Sequence, residues 1–98
     1  YDAVCFHAQQ CAEKYLKAIL QEAALPFGKT HNLINLLDLL LVIDPSWEAL
    51  RLDLQQLALF AVYVRYPGAR ADKLAARQAL TLARQVRSRA RTHLGFHG

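Results

Sequence analysis

A chain of 98 residues is enough for one domain, able to bury about 60–70% of its unfolded surface around one modest core. With 54% hydrophobic residues, 3 Pro and 4 Gly, the composition excludes a disordered chain and favours long, uninterrupted elements. The net charge of +4 is unevenly spread: residues 1–64 hold four cations against seven acids, net −3, whereas residues 65–98 hold eight cations against Asp72 alone, net +7. A basic third of this kind points to an anionic partner, either nucleic acid or an acidic protein surface.

The longest nearly apolar run, residues 36–43, is eight residues broken by Asp38. A bilayer span needs ~20, so the expectation is a soluble protein with no membrane partner. No signal-peptide pattern opens the chain. Cys5 and Cys11 lie six apart on one expected helix, a rise of about 9 Å, against the roughly 7 Å limit for the Cα atoms of a disulfide. Both therefore read as small apolar residues of a reducing compartment, and the expected location is the cytoplasm.

The first expected helix fills the opening stretch. At 100° per residue, Tyr1, Val4, Cys5, Ala8, Cys11, Ala12, Tyr15, Leu16, Ile19 and Ala23 occupy an arc of roughly 160°, against ~100° for an ordinary surface helix. The arc predicts a central helix packed on two sides. A polar ridge of His7, Gln10, Glu13, Lys14, Lys17 and Gln21 runs opposite. Residues 25–28, Leu-Pro-Phe-Gly, are expected to end the helix.

Thr30 is the expected N-cap of a second helix running from His31 to about Val42, with Leu33, Leu36, Leu37, Leu40 and Leu41 inward. Asp44-Pro45 reads as a stop and restart: a capping side chain, then a proline at the first helical position. The third helix then runs to about Val64 with Trp47, Leu50, Leu54, Leu57, Ala58, Ala61 and Val64 on one face. Its half from residue 57 to 64 is apolar all round, which predicts burial on every side. Tyr66-Pro67-Gly68 reads as a turn and Asp72 as the cap of a last helix, Lys73 to about Leu94. Ala75, Ala76, Ala79, Leu82, Ala83, Val86 and Ala90 form its inner face, small enough for close helix approach. With no β-alternation, the fold class is all-α, an up-and-down antiparallel bundle of about four helices in a single domain, residues 1–98.

Three groups of residues are candidates for chemistry. Arg77, Arg84 and Arg91 recur every seven residues on the last helix, with Lys73 and Arg87 beside them. Arg65 and Arg70, in the turn before it, extend the set. Such a flank suits a phosphate backbone with salt-sensitive affinity, or it is simply a solvated face. Gln10, Glu13 and Lys17 on the first helix, with Lys29 and His31, would border a bundle groove able to take a nucleotide or a partner. Alternatively they stabilise the surface, or close a helix end in the case of His31. The four histidines show no convergent ligand spacing, so neither a metal nor a cofactor is expected. No nucleophile elbow, phosphate loop or carboxylate pair appears.

The pattern Gln9-Gln10-x-x-Glu13-Lys14-x-x-Lys17, then Thr30-His31-x-Leu33, then Arg65-Tyr66-Pro67-Gly68 resembles the HEPN domain of bacteria and archaea. The resemblance implies a helical bundle that commonly forms a homodimer. It also implies operon partnership with a minimal nucleotidyltransferase, in toxin–antitoxin-like pairs. The family normally carries a long helix before the one that opens here. The domain is thus expected to be incomplete at its N-terminus, with the broad apolar face covered by another chain.

Ribonuclease members use an Arg-x4–6-His motif without metal. Arg87-x5-His93 is the match here, with His93 as acid/base and Arg87 stabilising phosphorane charge. The two lie about 120° apart around a regular helix. The expected function is therefore a HEPN-type interaction module that binds a nucleotidyltransferase, a nucleotide or RNA through its basic last helix. The alternatives are a metal-independent endoribonuclease and a structural adaptor neutralised by an acidic partner.

Overall fold

The computed structural model describes residues 2–63 and 73–95, so Tyr1, Arg65, Tyr66, Pro67, Gly68, Arg70, Asp72 and His97 lie outside the described residues. Within them the chain forms α1 (Asp2–Glu22), α2 (Leu33–Ile43), a 3₁₀ helix (Pro45–Leu50), α3 (Arg51–Tyr63) and α4 (Lys73–His93). The all-α class is as expected.

Helix α1 sits at the centre, packed against α4, α2 and α3. Cys5, Ala8, Ala12, Leu16, Ile19 and Leu20 on it are buried. Small side chains on both α1 and α4 let these two helices run close together. Ala76, Ala79, Ala83, Val86 and Ala90 of α4 are all in the core, and this pair makes the most extensive contact in the fold. The broad arc is therefore mostly covered by the chain itself. Only Val4, Cys11 and Tyr15 stay half-buried along one flank, and Ala23 is exposed. That is a narrower uncovered strip than the periodicity predicts.

The end of α1 departs from expectation. The helix stops at Glu22, before Pro26, in a Schellman motif: Leu25 N–H donates to Leu20 O at 2.9 Å and Ala24 N–H to Gln21 O at 3.0 Å. Ala24 takes the left-handed position with φ of 57°, which glycine adopts without steric cost. We expect Ala24→Gly to raise stability by about 0.5–1 kcal/mol in urea unfolding, the relief of Cβ strain outweighing glycine's extra freedom in the unfolded chain.

The N-cap of α2 is Asn32, not Thr30. Asn32 Oδ1 accepts from Ile34 N–H at 2.9 Å and Asn35 N–H at 3.2 Å, satisfying two first-turn donors. Thr30 acts one step back: its hydroxyl accepts from Asn32 N–H at 3.2 Å. His31 is consequently in the loop, outside the helix.

Asp44 does cap the next segment, accepting from Ser46 N–H at 2.9 Å, but that segment is a tight 3₁₀ helix rather than the start of one long α-helix. Three residues per turn bring Trp47 and Leu50 to the same side, and both are buried. Arg51 then ties this corner to α2, its guanidinium 2.7 Å from Asp38 and 2.6 Å from Glu48. The second half of α3 is not enclosed. Leu57 is buried, but Leu59 is 65% exposed, and Ala58 and Phe60 are half-buried. Nothing among the described residues packs on that side. Residues 61–64 of that run lie beyond what is described for side chains.

Candidate functional site

On α4, residues 73, 77, 80, 84, 87 and 91 follow a 4-3-4-3-4 spacing, which holds them on one ridge of about 27 Å. Lys73, Arg77, Arg84 and Arg87 are exposed and Arg91 is half-buried; Leu80 interrupts the cations. The first four have no carboxylate partner among the described residues.

Several cations elsewhere are engaged, while Lys14 and Lys29 are exposed. Lys17 Nζ sits 3.2 Å from Glu13, and Arg51 is held by Asp38 and Glu48. The guanidinium of Arg89 lies 4.7 Å over the Trp47 ring and donates to the Ser46 hydroxyl. The charge imbalance read from the sequence is thus concentrated on α4. Between α4 and α1 a trough of about 360 Å³ adjoins the ridge, lined by Val4, His7, Ala8 and Cys11 of α1 and by Leu80, Ala83, Arg84 and Arg87 of α4.

A second groove, about 700 Å³, lies where α1 meets the start of α2 and α3. Gln10, Glu13 and His31 line it together, as the sequence suggests. Lys17 instead braces Glu13 and covers the Phe27 ring at 5.6 Å, and Lys29, although exposed, is not part of the lining. His31 Nδ1 stands 2.9 Å from Glu13 Oε2, so the loop before α2 is pinned to α1. Burial raises the Glu13 carboxyl pKa, but hydrogen bonds from His31 and Lys17 outweigh it and leave the group below its ordinary value.

Sequence reasoning missed several residues of this groove. Gln9, only 8% exposed, donates to the His31 carbonyl at 3.4 Å. Asn32, Gln55 and Leu59 complete the wall. Nothing in the sequence links Gln55 to residue 13, since they meet only through α1–α3 packing. At 100° per residue the flank of α1 bearing Phe6, Gln9 and Glu13 lies about 150° from that bearing His7 and Cys11. The groove and the basic trough therefore sit on opposite flanks of α1.

Arg87 and His93 are not brought to one place. Arg87 rims the α1–α4 trough, whereas His93 packs edge-on against Trp47 with ring centroids 5.9 Å apart, beside Asp44 and Arg89. Among the described residues no three His, Cys, Asp or Glu side chains converge as metal ligands would, and no helix is long and apolar enough to cross a membrane.

Comparison with curated proteins and with solved structures finds no match to this chain. The HEPN domain model matches residues 1–93, nearly the whole chain and every element described above. This bundle, with its central α1 and its basic α4, therefore belongs to the HEPN domain family.

Proposed function

We propose that this HEPN domain is a homodimeric interaction module that takes an anionic partner on the α4 ridge. One observation carries the reading: Lys73, Arg77, Arg84 and Arg87 are exposed on one helix without acidic partners among the described residues, while Lys17 and Arg51 are matched within the fold and the exposed Lys14 and Lys29 lie off that ridge. Uncompensated charge of one sign raises the local potential and attracts the opposite sign. Of the expected partners, RNA or a nucleotide would meet the ridge with phosphates, and a nucleotidyltransferase with an acidic surface. The α1–α2–α3 groove holds a carboxylate and no lysine or arginine, so it suits phosphates poorly. Separate surroundings for Arg87 and His93 favour binding over RNA cleavage by that pair.

The homodimer has a different surface. Leu52, Gln55, Gln56 and Leu59, at i, i+3, i+4 and i+7, are exposed on α3, and no charged residue occurs between residues 54 and 63. A two-fold axis sets one patch against a copy of itself, so a patch of a single charge repels across it and a neutral apolar patch does not. That condition excludes the α4 ridge and favours α3.

Heparin chromatography tests the reading. Arg84→Glu/Arg87→Glu should elute from heparin at far lower salt than a charge-matched control, Lys14→Glu/Lys29→Glu. Equal elution of the two variants would show that net charge alone binds the polyanion, and the ridge would lose its role.

A further inference from the structure

The ridge and the trough beside it differ in chemistry but run together along α4, and this pairing identifies the kind of anion they fit. A phosphate backbone needs only the cations. Single-stranded RNA adds stacking on aromatic rings, and among the described residues no Phe, Tyr or Trp lies on the ridge or in the trough, where His7 is the one ring. The trough instead offers Val4, Ala8, Leu80 and Ala83, a strip of small and branched apolar side chains with Leu80 39% exposed. Leu80 stands midway along the line of cations, where a purely phosphate-tracking surface has no use for it.

We propose that the α1–α4 trough is the docking site for an amphipathic acidic helix of a partner protein. Its apolar stripe lies over Val4, Ala8, Leu80 and Ala83, and its carboxylates meet Arg77, Arg84 and Arg87. The 4-3-4-3-4 spacing of the ridge is the seam that two helices share when they pack at a shallow angle, so successive turns of the visitor meet a cation or, midway, Leu80. About 18 residues of helix match the ridge's length. Charge complementarity commits the occupant to another protein. Most of this chain's own described acids are engaged: Glu13 with His31 and Lys17, Asp38 and Glu48 with Arg51, and Asp44 in capping. A second copy has few carboxylates to offer. The inference rests on the reading of α4 as an anion-binding surface and names the class of anion.

The test uses the full chain and three fluorescent probes in anisotropy titrations at 150 mM salt. The first is a designed 18-residue helical peptide with a leucine stripe flanked by glutamates. The second keeps every glutamate and replaces the leucines with serine, and the third is a 20-nucleotide poly(U). The leucine peptide should bind at least about tenfold tighter than the serine peptide, because apolar burial adds to the ion pairs. Arg84→Glu/Arg87→Glu should cost at least about tenfold, and Leu80→Ser should weaken the leucine peptide while leaving poly(U) unchanged.

Equal affinity for the two peptides, or binding of poly(U) alone, overturns the helix proposal and leaves the anionic-ridge reading standing. Failure of all three probes overturns both. Loss of the homodimer in Arg84→Glu/Arg87→Glu, measured by sedimentation, would give the trough to a second copy and also overturn the proposal. Trp47 fluorescence and circular dichroism confirm that each variant is folded before it is titrated.

Discussion

Trp47→Ala is expected to lower the unfolding free energy by about 3–5 kcal/mol, the largest effect of any single truncation in the chain. Trp47 is the sole tryptophan and is 1% exposed. It fills the corner between the 3₁₀ helix and α4, with the Arg89 guanidinium 4.7 Å from its ring and the His93 edge at 5.9 Å. Removing the indole leaves a cavity that the rigid 3₁₀ turn cannot collapse to fill, and it strips Arg89 and His93 of their support. Typical domain stabilities run from about 5 to 15 kcal/mol, so a loss of this size removes a fifth or more of the total and, at the lower end, brings a chain close to its unfolding midpoint.

Urea melts followed at 222 nm give the number. Trp47→Phe should cost much less, since a ring remains and the indole Nε1, which is buried without a hydrogen-bond partner among the described residues, is deleted along with its unmet demand. A cost for Trp47→Ala below about 1 kcal/mol would mean that the 3₁₀ corner is not part of the cooperative core.

Leu59→Glu should raise the dissociation constant of the homodimer at least about a hundredfold, a change of ~2.7 kcal/mol. Two copies of the substitution meet across a two-fold axis, so each new carboxylate loses water and faces its twin. Leu52→Glu, one heptad earlier on the same face, should act in the same direction. Val42→Glu is the control: Val42 is 74% exposed, on α2 rather than α3, and should leave association unchanged. Sedimentation equilibrium over a concentration series reads all three. If the unsubstituted chain is monomeric throughout, or if both α3 substitutions leave the dimer intact, the assignment of that surface is wrong. The heparin test on α4 is independent of this result, because Leu59 borders the groove on the opposite flank of α1 from Arg84 and Arg87.

Together the two proposed surfaces would make an adaptor. A dimer closed through α3 would leave both α4 ridges free and double the valency toward an anionic partner. The gain in avidity would depend on whether that partner can span the two ridges.

How much of this was legible beforehand follows the range of the interactions involved. Periodicity marked the helical segments and the inner faces of α2 and α4, and the Asp44-Pro45 pair marked a cap, because helix formation, capping and amphipathic burial are local properties of residues a few positions apart. The motif order around Gln10, Glu13 and His31 identified the family, and the uneven distribution of Lys and Arg located the charged element.

Details set by competition between neighbouring signals were misread. Thr30 and Asn32 are both good caps, and the hydrogen bonds of the finished turn choose Asn32. Pro26 looked like the stop for α1, yet Ala24 in the left-handed region had already ended it, a conformation that no alanine advertises. The run from residue 45 to 63 looked like one helix, but Trp47 and Leu50 reach the core together only through a 3₁₀ turn.

Composition and periodicity by themselves determined an all-α chain with a central apolar helix and a basic final one. Only the tertiary structure decided which charges remain unmatched and which apolar side chains stay wet. Whether Arg51 finds Asp38, or Leu59 finds a cover, depends on elements remote in the chain, whose approach is governed by packing volume and helix crossing, and a linear sequence expresses neither directly.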